Sequence, residues 1–130
     1  MPRAYTVATA ALAIGMTSKW VDNVLSHNKL IGIRQDRQGV ARRLSIEGLL
    51  VLALTAVLIK ELGLSTAKAI VVAEGIVTGG GRYSAAPGLS IELDLTAFRS
   101  GLLEQLEHAV EVAPIPRRGR PPKDKTGRLE

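Results

Sequence analysis

Four arginines within ten residues, Arg34, Arg37, Arg42 and Arg43, stand against one acid, Asp36. A guanidinium is planar, always charged and carries five N–H donors in a fork that fits a phosphate. Just upstream lie Thr17, Ser18, Lys19 and Asn23. At a helix start the two hydroxyls and the free backbone N–H groups can donate to a phosphate. Lys19 can reach a guanine edge or a phosphate, and Asn23 can pair with adenine. Asp22 repels phosphate, so it either accepts from cytosine or faces away. The chemistry these residue types offer is polyanion recognition, not bond making. The carboxylates elsewhere have no partner His, Cys or metal set. Gly79, Gly80 and Gly81 lack the Lys-Ser/Thr that a phosphate-cradling loop needs. There is no Cys, which excludes a disulfide framework, a zinc finger and a thiol sensor. His27 and His108 are too far apart in sequence to suggest a metal pair. A non-enzyme with no cofactor and no metal is expected.

Charge is segregated along the chain. Residues 1–46 carry +5, residues 47–114 carry −4 and residues 115–130 carry +4. Two basic segments flanking an acidic middle suit a polyanion held at two points. Apolar residues reach 46% and aromatics only 3%, so the core must be aliphatic. The longest apolar run, 49–59, is interrupted only by Thr55 and is about half of a membrane span. It reads as a buried helix of a cytoplasmic, nucleoid-associated protein with no membrane contact.

Residues 1–4 form a short leader. A first helix is expected over 6–14, with Thr6 as N-cap and Val7, Ala10, Ala11 and Ile14 on one face. Gly15 ends it. A second helix begins at Thr17 or Ser18, buries Trp20, Val21, Val24 and Leu25, and turns Ser18, Lys19, Asp22, Asn23 and Ser26 outward. A strand over 30–33, a polar turn over 35–39 and a return strand over 40–44 follow, with one of Arg42 and Arg43 facing inward. Helix, Gly turn, helix and basic hairpin make the pattern of a winged helix-turn-helix, whose second helix enters the major groove.

Ser45 caps a third helix, 46–62, that is apolar nearly all round. The first two helices can cover part of it. A later element or a second subunit must cover the rest. Gly63 stops it, and Ser65 caps a fourth helix over 66–74 with Ile70 and Val71 buried. Residues 78–81 read as a flexible break. A short strand begins at Tyr83. Residues 89–95 alternate, with Leu89, Ile91, Leu93 and Leu95 on one face. Asp94 or Thr96 caps a last helix to about 112, burying Phe98, Leu102, Leu106, Ala109 and Val110. Pro114 and Pro116 close the ordered part, and 115–130 is expected to be disordered when free. The fold class is mainly α (α+β). Its parts are a DNA-binding unit (1–75), a strand–helix oligomerisation segment (76–114) and a basic tail (115–130).

Residues 6–74 resemble the DNA-binding domain of the MerR family. The likeness rests on Gly15, Thr17, the run Arg37-Gln38-Gly39-Val40-Ala41-Arg42, Ser45 and the turn Glu61-Leu62-Gly63-Leu64-Ser65. The family's long coiled coil and effector cysteines are absent, so the resemblance implies fold and DNA contact, not effector sensing. Short excisionase-like proteins share the scaffold. The run from Arg117 to Lys123 resembles an AT-hook. There Gly119 would let the backbone lie deep in a narrow A·T minor groove, and Arg118 and Arg120 would run along its floor. These readings together imply a sequence-specific regulator of transcription that binds double-stranded DNA, with a homodimer expected from the over-apolar third helix, the 89–95 strand and the last amphipathic helix. Its contacts would be Thr17, Ser18, Lys19, Asn23, Arg34, Arg37, Arg42, Arg43, Arg118, Gly119 and Arg120. A DNA-architectural or recombination accessory protein remains open. So does an antitoxin-like or adaptor module that binds a protein through residues 75–114.

Overall fold

The structure, a computed structural model, describes residues 4–28, 30, 33–34 and 43–112, the side chains of 33, 34 and 111 excepted. The helices are α1 (Val7–Ile14), α2 (Ser18–His27), α3 (Ile46–Leu62), α4 (Thr66–Thr78) and α5 (Leu95–Val112). Two antiparallel two-stranded sheets accompany them: β1 (Ile33–Arg34) with β2 (Arg43–Leu44), and β3 (Arg82–Ala86) with β4 (Leu89–Glu92). The architecture is therefore mainly helical with a small β component. The expected turn over 35–39, the leader up to residue 3 and the tail over 115–130 lie outside the described residues.

Each helix starts where a short polar side chain can take an orphan N–H. The Trp20 N–H donates to Thr17 Oγ1 at 3.0 Å. The amides of Thr9, Gly48 and Lys68 donate to Thr6, Ser45 and Ser65, each at 3.2 Å. Ala97 N–H donates to Asp94 Oδ1 at 3.1 Å. Each cap satisfies one of the four N–H groups a helix start leaves open. Gly15 ends α1 in the left-handed region at φ 74°, where glycine carries little penalty. That permits the tight turn into α2.

Helix α3 is buried from Gly48 through Ala56 and again at Leu58. α4 lies along it, and α1, α5 and β2 cover its other sides. The cover that an all-round apolar helix requires thus comes from both earlier and later elements of the same chain. α5 runs back over α1 and buries Leu102, Leu106 and Ala109. One core extends from Tyr5 to Ala109, and the expected boundary after residue 75 falls inside α4.

Several expectations shift in detail. α4 continues one turn past residue 74, to Thr78, and buries Val72 while Val71 is 52% exposed. Ile70, Val71 and Val72 are consecutive apolar residues, so the sequence leaves the helix phase open. Packing on α3 selects Ala69, Ile70, Val72, Ala73 and Ile76. Val110 of α5 is exposed, not part of the buried face. The break at 78–81 is a tight turn: Gly79 N–H donates to Gly75 O at 2.9 Å and Gly81 N–H to Ile76 O at 2.8 Å. The alternating run stops being a strand at Glu92. Leu93 N–H donates back to Gly81 O at 2.7 Å, and Leu95 already opens α5. Leu89 stands 58% exposed.

The β3–β4 hairpin is fastened to α4 at a glycine. A Cβ on Gly75 would meet the Tyr83 ring, with Cε1 only 2.8 Å away. Gly75→Ala gains up to about 1 kcal/mol of helix propensity. It also overpacks the ring, at roughly 1–3 kcal/mol. The expected outcome is a lower melting temperature, measured by circular dichroism, and partial recovery in Gly75→Ala/Tyr83→Ala. An unchanged double mutant would mean that the hairpin is not held through this contact.

Candidate nucleic-acid interface

Helix α2 separates its faces cleanly. Val21, Val24 and Leu25 are buried, Trp20 is half-buried, and Ser18, Lys19, Asp22, Asn23 and Ser26 are all exposed. Lys19 and Asn23, four residues apart, are neighbours on the outer face. Thr17 Oγ1 accepts the Trp20 N–H and so keeps its own hydroxyl hydrogen to donate. The N–H groups of the first helical residues, Ser18 and Lys19, lie at the positive end of the dipole. The other end is tied down: His27 Nδ1–H donates to Asn23 O at 2.8 Å, and Asn28 Nδ2 donates to Val24 O at 3.0 Å. The result is a short rigid helix with both ends closed and one polar face outward. Trp20 belongs to the inner side.

The hairpin is anchored from two directions. In the β1–β2 ladder Ile33 pairs with Leu44 and Arg34 with Arg43. On the far side of β2, Tyr5 N–H donates to Leu44 O at 2.8 Å, and Leu44 N–H donates to Tyr5 O at 2.9 Å. Leu44 is fully buried, and Tyr5 is buried too, so the base of the hairpin is fixed to the core. Arg43, its neighbour, is exposed, as strand alternation requires. The register sets two arginine positions opposite each other. Like charges directly opposite in an antiparallel pair are unfavourable without a counter-charge.

Tyr5, just ahead of the expected first helix, is a contributor that sequence reasoning did not single out. A single bridging residue has no period; an aromatic just before the N-cap was its only signal. Thr17, Ser18, Lys19 and Asn23 come together on α2, and Arg43 stands on a separate anchored strand. Arg34 is placed by its backbone alone. Arg37, Arg42, Arg118, Gly119 and Arg120 lie outside the described residues.

Among the described residues no group of three or more His, Asp or Glu could hold a metal ion. No helix among them is long and apolar enough to cross a membrane. An ion pair links α5 to the start of α3, Arg99 Nη1 to Glu47 Oε2 at 3.6 Å, but both ends are well exposed and such pairs contribute little. The class is thus a mainly helical α+β chain with a capped polar helix packed on α1 and, separately, an anchored two-stranded ladder. No family model matches the chain and no curated protein matches it.

Proposed function

We propose that the chain is a sequence-specific DNA-binding protein of the winged helix-turn-helix kind that regulates transcription as a homodimer. α2 is its recognition helix and the hairpin built on β1 and β2 is its wing. The observation that carries the reading is α2 itself. A ten-residue helix closed at both ends turns five polar residues outward together, and an exposed arginine sits on the following hairpin. Such a helix fits a major groove about 12 Å wide. One short helix reaches few base edges, so two copies on a pseudo-palindromic site are needed for useful specificity. The tail is assigned to the adjoining A·T-rich minor groove.

The direct test is selection of duplexes from a random pool by the full chain. Discrete sites with half-sites about one helical turn apart are expected. Asn23→Ala should relax preference at one base pair of each half-site by about 1–3 kcal/mol, and Lys19→Ala should weaken binding to every sequence. Steep salt dependence with no selected sequence would give the role to an architectural protein instead. Removal of residues 115–130 is expected to weaken binding most where the flanks are A·T-rich. Equal loss on G·C-rich flanks reduces the tail to plain charge.

A further inference from the structure

A pocket of about 390 Å³ opens between α1, α3 and α5, within the size range of small-molecule sites. Its walls are small: Ala13 from α1, Ala53 and Ala56 from α3, and Ala97 and Gly101 from α5. Phe98 and Leu102 add apolar surface, while Lys60 and Gln105 supply the polar groups. We propose that this pocket binds a small amphiphile with an aliphatic body and one anionic head, of the chemistry of a medium-chain carboxylate.

Gly101 carries the argument furthest. Glycine in a helix interior is among the least favourable choices, so it needs a reason. At Gly75 the reason is visible, because the Tyr83 ring occupies the space. At Gly101 a Cβ would meet nothing within 4 Å, and its backbone is ordinary helix. No packing among the described residues requires that glycine. What it does is leave the pocket open on the α5 side. The sign of the head group follows from Lys60. Among the described residues it is the only charged side chain in the lining, and no carboxylate pairs with it. Its ammonium and the Gln105 amide offer donors to a carboxylate at the mouth of an otherwise apolar site, while the Lys60 stem can lie along the occupant's chain. Ile14, another lining residue, stands immediately before the Gly15 turn, so an occupant would rest against the base of the α1–α2 pair.

The site is independent of the DNA-binding reading, and its test uses the full chain without DNA, so either can fail alone. Decanoate, decan-1-ol and decyltrimethylammonium are titrated below their aggregation thresholds while the alanine methyl resonances are followed by NMR. Saturable one-site binding of decanoate is expected, with shifts at Ala13, Ala53, Ala56 and Ala97. Lys60→Gln should weaken decanoate about tenfold and leave decan-1-ol unchanged. Gly101→Leu should abolish binding of both. Gly101→Ala should weaken binding and raise the melting temperature of the free chain by a few degrees. Equal affinity for the cationic amphiphile, an unaffected Lys60→Gln, or a lower melting temperature in Gly101→Ala would each overturn the proposal. Methyl shifts that follow protein concentration with no amphiphile present would also overturn it, giving the groove to a second copy.

Discussion

Replacing Arg37, Arg42 and Arg43 together by alanine is expected to weaken binding to duplex DNA about 100-fold per protomer near ~100 mM salt, at roughly 1 kcal/mol for each arginine–phosphate pair removed. The charge on the outer face of α2 explains why the effect should be so large. Lys19 and Asp22 cancel, so the helix has little net attraction for a phosphate backbone. The hairpin must supply it. Removing three phosphate pairs should also flatten the slope of log K against log salt by about 2.7. Folding should hardly change. Arg43 is exposed, and the anchor is Leu44 with its two backbone bonds to Tyr5. An exposed substitution such as Arg43→Ala usually moves stability by under about 0.5 kcal/mol. Fluorescence anisotropy over a salt series, beside a thermal melt, measures both quantities. Weaker affinity with an unchanged salt slope would assign the arginines to base edges. Unchanged affinity and slope would remove the hairpin from the interface.

How much of this was legible in advance depended on the range of the interactions involved. The N-caps at Thr6, Ser45 and Ser65 are three-residue events, an oxygen meeting an amide one turn ahead, and each helix opens at the residue the sequence indicated. The split faces of α2 were equally local, because a lone apolar stripe on a polar helix admits one phase. α4 was different. With Ile70, Val71 and Val72 in succession, only the position of α3 decides which one is buried. The run over 89–95 shows a short-range contest. Alternation favours a strand to Leu95, but Asp94 caps a helix and Gly81 takes the Leu93 amide, so the strand ends at Glu92. The Tyr5–Leu44 bridge spans nearly forty residues and leaves no periodic trace. For the candidate interface, the residue types and the α2 face were readable. The anchoring of the hairpin at Tyr5 was not.

The same limit governs α5, which the sequence marks as a surface for another subunit and the structure folds onto α1. Leu106 separates the two roles. It is 2% exposed within a single chain and shares the core with Leu102 and Ala109. Leu106→Ala should therefore cost about 2–5 kcal/mol, a large share of the roughly 5–15 kcal/mol that holds a typical domain together. A fall in melting temperature of roughly 10–20 °C follows for a chain of this size. Because the cavity opens inside one chain, the fall should be the same at every protein concentration. A contact between subunits would instead give a destabilisation that shrinks as protein concentration rises. The exposed side of the same helix provides the contrast. Leu103 is 40% exposed and Val110 46% exposed, and seven residues set them two turns apart on one line. Leu103→Ser with Val110→Ser should leave the melt of the dilute chain nearly unchanged while lowering its association in sedimentation. If the double serine variant melts early at high dilution, that line serves the fold as well, and the proposed dimer would have to be built from another surface.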